Sequence, residues 1–251
     1  MHFRTVDIPT PDGTADAYAA CPEKDGSYPG VLLYMNIIGL RPVIKEMVTE
    51  LASHGYYVLA PNVFYRHGRA PVAELPDLSR AEEREAFMGR VFPMLESHSS
   101  GNAVRDAGAY LDFLARQPQV RNGKAGVTGY CMGGMLALRT AAAYPERVGA
   151  VGSFHAGQLV TEAPDSPHRV VGRIAARAHL GHAENDASMT RDDVAALDKA
   201  LDEGGVDYTS EVYPGTVHGF TMADTPAFSP EGLERHWDRL LSLLSETLQT
   251  E

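Results

Sequence analysis

The amino-acid sequence predicts an α/β fold, a mostly parallel central sheet with helices on both faces. Three observations predict it. Segments of strand character alternate with segments of helix character along the chain. The run GVLLYM (30–35) is apolar throughout, as expected of a strand covered on both faces. A short strand, KAGVTGY (124–130), passes abruptly into CMGGMLALRTAAAY, a helix rich in small residues.

The elements follow in order. HFRTVDI and TADAYAA alternate polar and apolar residues around PDG and predict an antiparallel hairpin at one sheet edge. After the central strand, Val43, Ile44, Met47, Val48 and Leu51 recur at helical spacing, and Gly55 supplies a stop. YYVLAP is the next strand, and residues 62–79 carry few periodic signals and predict a surface loop. Helices are expected over 81–95 and 103–116, the second with Val104, Ala107, Tyr110, Leu111 and Leu114 on one face. Beyond the helix that starts at residue 131, strands are expected at VGAVGSF, RAHLGHA and DYTSEVY. A short helix is expected near 167–176, another over 192–202, and a closing one from Glu231.

With 251 residues, 44% of them hydrophobic, the chain is long enough for a sizeable core, and no repeat or linker divides it, so one domain over 1–251 is expected. The balance of 22 basic and 33 acidic residues, net −11, repels nucleic acid and anionic lipid, and neither is expected as a partner. Two cysteines, Cys21 and Cys131, are too few for a disulfide scaffold and form no CxxC pair. The first residues lack a secretion signal and no apolar run is long enough for a bilayer span, so a cytoplasmic protein is expected, monomer or homodimer.

The chemistry concentrates at Gly129-Tyr130-Cys131-Met132-Gly133, a GxSxG pattern with cysteine in the serine position. Such a nucleophile sits on a sharp turn between strand and helix, where only glycine avoids collision with the neighbouring elements. The helix N-terminus directs backbone N–H groups and the positive end of its dipole at the thiol, favouring thiolate. A buried, inert cysteine is the competing reading, and Cys21 fits it.

A nucleophile of this kind needs a base and a group to orient it, in the chain order nucleophile, acid, histidine. His218, in YPGTVHGF between Gly215 and Gly219, is the candidate base. Asp186, just past RAHLGHA, is the candidate acid, with Glu184 its competitor; Asp192 and Asp193 suit the start of the next helix. His179 and His182, three apart on a strand, face opposite sides and do not form a metal pair. The oxyanion donors are expected to be the backbone N–H groups of Met132 and Ile37. No metal or cofactor is implied.

These residues resemble the dienelactone hydrolase (carboxymethylenebutenolidase) family, whose fold is the α/β-hydrolase. GVLLYMNIIGL, YYVLAPNVFYR, NGKAGVTGYCMGG, the HAEND segment and YPGTVHGF carry the likeness, which covers most of the chain. The resemblance implies Cys131 as nucleophile, Asp186 as acid and His218 as base, acting on a small ester or lactone. Two positions depart from the family pattern: Asn36 stands where a glutamate helps deprotonate the cysteine, and Met222 where an arginine holds the substrate carboxylate. An amide is no base; Asn36 is left to bond the thiol, His218 or the substrate. A cation for a substrate carboxylate would have to come from elsewhere, with Arg80, Arg84 and Arg90 as candidates; without one, a neutral ester, lactone or thioester is expected. Tyr130 and His155 are further pocket candidates, His155 equally a surface-loop residue. The alternative functions are a binding or sensing protein that has lost turnover, motivated by Asn36, and a thiol sensor built on Cys131.

Overall fold

The computed structural model describes residues 1–249; the last two residues of the expected domain, 250–251, lie outside them. Among the described residues, eight strands form one sheet in the order β1-β2-β4-β3-β5-β6-β7-β8. The strands are β1 (His2–Thr10), β2 (Gly13–Cys21), β3 (Gly30–Tyr34), β4 (Tyr57–Pro61), β5 (Ala125–Tyr130), β6 (Val148–Phe154), β7 (Arg177–Asn185) and β8 (Tyr208–Val217). β1 pairs antiparallel with β2 and β2 with β4, while every pairing from β4 through to β8 is parallel. The architecture is the α/β fold read from the alternation of elements.

β3 and β4 are buried along their whole length, whereas β1 is largely exposed, as suits an edge strand. The helices are α1 (Pro42–Ser53), α2 (Ala81–Ser97), α3 (Ser100–Ala115), α4 (Met132–Ala143), α5 (Arg191–Gly204) and α6 (Pro230–Leu248). Small residues on β5 and β6 let the two flanking helices lie close to the sheet. On one face a Cβ at Gly126 would stand 2.7 Å from Leu244 Cδ2 of α6, and one at Gly152 3.2 Å from Leu240 Cδ1. On the other face a Cβ at Gly129 would stand 2.0 Å from the carbonyl oxygen of Gly133 in α4. Strand alternation thus sends 126 and 129 to opposite helices.

Some elements differ from the sequence expectation. Residues 62–65 are buried rather than part of a surface loop. Asn62 donates its side-chain N–H to Asp16 Oδ1 at 2.9 Å and to the Gly68 carbonyl at 3.0 Å, which folds the start of the segment inward. Around 167–176 two separate 3₁₀ turns, Pro167–Arg169 and Val171–Arg173, replace the short helix. β8 continues four residues past Tyr213, carrying the chain to the doorstep of His218. Asp192 and Asp193 do open α5: Thr190 caps it and Asp193 returns a bond to the Thr190 N–H at 2.9 Å. Among the described residues, no helix is long and apolar enough to cross a membrane.

Candidate active site

Cys131 lies between β5 and α4 with φ 56° and ψ −121°, a conformation rarely adopted by a residue with a side chain. Such backbone costs on the order of 1–3 kcal/mol and persists only where its surroundings enforce it. Here two glycines do so. A Cβ at Gly129 would drive into α4, and one at Gly133 would stand 2.4 Å from the Tyr34 carbonyl oxygen and 2.5 Å from that of Met35. The Cys131 N–H bonds to the Phe154 carbonyl at 3.0 Å and its own carbonyl accepts from Gly134 N–H at 3.0 Å, so the bend is pinned on both sides. The residue remains partly exposed at the C-terminal end of β5, while Cys21 is buried in β2.

His218 follows directly on β8, and its Nδ1 meets Asp186 Oδ2 at 2.6 Å. Asp186 follows directly on β7, the strand that pairs with β8, so adjacent strand ends deliver both residues to one edge. With Nδ1 taken by the carboxylate, the ring's other nitrogen is left for Cys131, and the two groups shift each other, the thiol down and the imidazole up. The backbone N–H groups of Met132 and Ile37 also act on the Cys131 thiol, lowering it. Glu184, the competing carboxylate, accepts instead from Gly215 N–H at 2.8 Å.

The electrostatics follow from these contacts. Burial by itself raises the Cys131 thiol, but the bond to His218, the charge of that ring and the two backbone donors outweigh it and hold the thiol below its ordinary value. Burial pulls the other way on His218, lowering it, yet the bonds to Asp186 and Cys131 raise it to about 10. Asp186, which burial raises, is held low by His218 and Ser188. The three shifts favour a thiolate beside an imidazolium, itself backed by a carboxylate.

The expected pocket residues are placed unevenly around this centre. His155 is fully buried and so is no surface-loop residue; its Nε2 pairs with Thr221 Oγ1 at 2.8 Å and its ring stands edge-on to His218, centroids 5.5 Å apart. Tyr130 is also fully buried, its hydroxyl 2.9 Å from His236 Nε2 of α6. The Asn36 side-chain oxygen Oδ1 accepts from Arg41 Nη1 at 2.7 Å, and Met222 Sδ from Arg41 Nη2 at 3.4 Å. Arg80, Arg84 and Arg90 are engaged around α2, with Glu83, the Leu78 carbonyl and the Phe87 ring respectively.

Three participants went unnoticed in the sequence. Ser188 donates to Asp186, and Arg41 and Asp224 form an ion pair at 2.6 Å beside Asn36. For Ser188 the signal was the Asp-x-Ser spacing of a side-chain turn. Arg41 and Asp224 are 183 residues apart and carried none. Among the described residues, no group of three or more His, Cys, Asp or Glu side chains is arranged to hold a metal ion.

The profile of the dienelactone hydrolase family matches residues 15–248. The chain belongs to that family. A putative carboxymethylenebutenolidase of Methylorubrum extorquens is 26% identical over 239 residues, covering 94% of this chain and 78% of the relative. A probable 2-oxo-3-(5-oxofuran-2-ylidene)propanoate lactonase of Bradyrhizobium is 26% identical and covers 95% of this chain and 92% of the relative. The crystal structure of a putative dienelactone hydrolase from Klebsiella pneumoniae superposes with a TM-score of 0.85 over 98% of both chains at 21% identity. The fold is that of this family's α/β-hydrolases, and the protein is a hydrolase of the dienelactone hydrolase type.

Proposed function

We propose that this dienelactone hydrolase family member cleaves a small lactone or ester through an acyl-enzyme on Cys131, with His218 as base and acid and Asp186 as orienting group. The observation that supports the proposal is Cys131 held at φ 56° on the bend between β5 and α4, with His218 fixed at 2.6 Å on Asp186 and its ring lowering the Cys131 thiol.

The steps follow from the geometry. The Cys131 thiolate attacks the carbonyl carbon, forming a C–S bond, and the carbonyl π electrons move to oxygen. That oxyanion takes the N–H groups of Ile37 and Met132 as they leave the sulfur's charge. Collapse breaks the C–O bond, and the departing alkoxide takes the proton from His218; in a lactone the freed alcohol stays tethered to the acyl group. Water then attacks the thioester, His218 accepts its proton, and the thiolate departs with the acid released. Asp186 holds His218 in the tautomer that faces sulfur and stabilises its charged form.

The names of the two relatives above, a putative carboxymethylenebutenolidase and a probable oxofuranylidene-propanoate lactonase, both denote ring esters, which supports a lactone as the substrate class. The test is a panel of lactones and activated esters presented to the wild type and to Cys131→Ala. A loss of at least about 1,000-fold in kcat in the variant is expected, since removing a nucleophile abolishes the covalent route. A wild type no faster than Cys131→Ala across the panel would favour the reading as a binding protein.

A further inference from the structure

Asn36 and Met222 share one neighbour. Arg41, the residue before Pro42 at the start of α1, is 6% exposed and reaches both of them. A guanidinium has five N–H bonds. Nε donates to Asp224 Oδ2 at 2.6 Å and Nη2 to Asp224 Oδ1 at 3.0 Å, a two-point carboxylate pairing. The second Nη2 hydrogen goes to Met222 Sδ at 3.4 Å. Nη1 donates to Asn36 Oδ1 at 2.7 Å and to the Gly39 carbonyl at 3.1 Å. Five donors meet five acceptors within the protein.

Those acceptors belong to two loops. Asn36 and Gly39 bracket Ile37, the expected oxyanion donor, whose N–H lowers the Cys131 thiol, and the Gly39 N–H closes the same turn onto the Asn36 backbone carbonyl at 3.0 Å. Met222 and Asp224 lie on the segment that runs from His218 through the Met222 N–H to Gly219 carbonyl bond of 2.9 Å. A single side chain therefore ties the loop with one oxyanion donor to the loop with the histidine.

We propose that Arg41 is a positioning residue that fixes the Ile37 N–H relative to His218, and that, with its donors spent on this clamp, it is not a receptor for a substrate carboxylate. The second half narrows the substrate to one whose acyl part does not depend on Arg41 for a counter-charge. Both halves rest on the hydrolase reading above only where turnover is measured. A buried cation that keeps all its internal partners gains nothing from a second anion, since each new bond would break an existing one.

The experiment compares wild type, Arg41→Met, Arg41→Lys and Cys131→Ala on p-nitrophenyl butyrate and on mono-p-nitrophenyl succinate, esters of similar length without and with a free carboxylate. Arg41→Met is expected to lower kcat on both esters by the same factor, about 10- to 100-fold, with KM changed by less than about twofold. Arg41→Lys, which keeps the charge opposite Asp224, is expected to recover part of that loss and guards against a variant that fails to fold. Amide hydrogen exchange, which needs no turnover, should show residues 35–40 and 219–225 losing protection together in Arg41→Met. A selective loss on the succinate ester would make Arg41 the carboxylate receptor and overturn the proposal, as would unchanged kcat on both esters or unchanged exchange in the two loops. A wild type matched by Cys131→Ala would instead defeat the hydrolase reading, and the exchange measurement would still decide the clamp.

Discussion

Ser188 occupies the carboxylate oxygen of Asp186 that His218 leaves free: its hydroxyl donates to Oδ1 at 2.6 Å and its backbone N–H to the same oxygen at 2.9 Å, while His218 takes Oδ2. The carboxylate is thereby locked in rotation, and the imidazole with it. Orientation, rather than charge alone, is what Ser188 contributes.

Ser188→Ala removes one of these bonds and leaves the backbone one. Loss of a hydrogen bond to a charged group costs about 1.5–3 kcal/mol at most, and the surviving N–H softens it. A fall in kcat of roughly 3- to 30-fold is expected, read by steady-state kinetics. Asp186→Asn is expected to fall much further, about 10²- to 10⁴-fold, because an amide both loses the charge and favours the wrong imidazole tautomer.

The pH dependence of Cys131 alkylation separates the paired thiolate from an ordinary thiol. With the thiol held low by His218 and the backbone donors, iodoacetamide should react in a plateau that begins below the ordinary thiol range of about 8.5. His218→Asn removes the two largest lowering effects and leaves burial to raise the thiol. Its plateau should begin at higher pH, with alkylation at pH 7 slower by about tenfold or more. Superimposable profiles in the two proteins would contradict the pairing.

Stability should carry the signature of the same pair. The folded-state value of His218, about 10, lies above its ordinary value of 6.5. The contribution is therefore fully present below about pH 6.5 and is lost as pH rises through about 10. Thermal melts of wild type and His218→Asn should differ most at the acid end of that window and converge above it.

The bend at Cys131 is enforced by the absence of side chains, and this too is measurable. Gly129→Ala would place a methyl 2.0 Å from backbone that has nowhere to move. A destabilisation above about 3 kcal/mol in urea denaturation is expected, of the size that overpacking reaches in its severe cases. Gly89→Ala in α2, where nothing lies within 4 Å, should instead stabilise by about 0.5–1 kcal/mol.

The α/β architecture, the bend at Cys131 and the pairing of Asp186 with His218 were legible because each depends on local pattern or chain order. An apolar run, a Gly-x-Cys-x-Gly turn and a residue following a strand are written in consecutive letters. Arg41 was not legible in the same way: its clamp joins 36, 39, 222 and 224, and no spacing rule links them. Burial of His155 went unread for a related reason. Its φ of 38° turns the ring under His218, against Phe220 at 5.0 Å, a contact created by the sheet rather than by its neighbours in sequence. Residues 62–65 read as surface because the segment carries few periodic signals, and the buried partner that satisfies Asn62, Asp16, is 46 positions away.

The most direct test of a covalent route is to catch the intermediate. Wild-type protein mixed with p-nitrophenyl butyrate and quenched in acid within the first turnovers should gain the mass of one acyl group, mapped by peptide fragmentation to Cys131 and decaying at the steady-state rate. Release of the nitrophenol by a protein that never carries an acyl group on that cysteine, or at an equal rate by Cys131→Ala, would contradict the account.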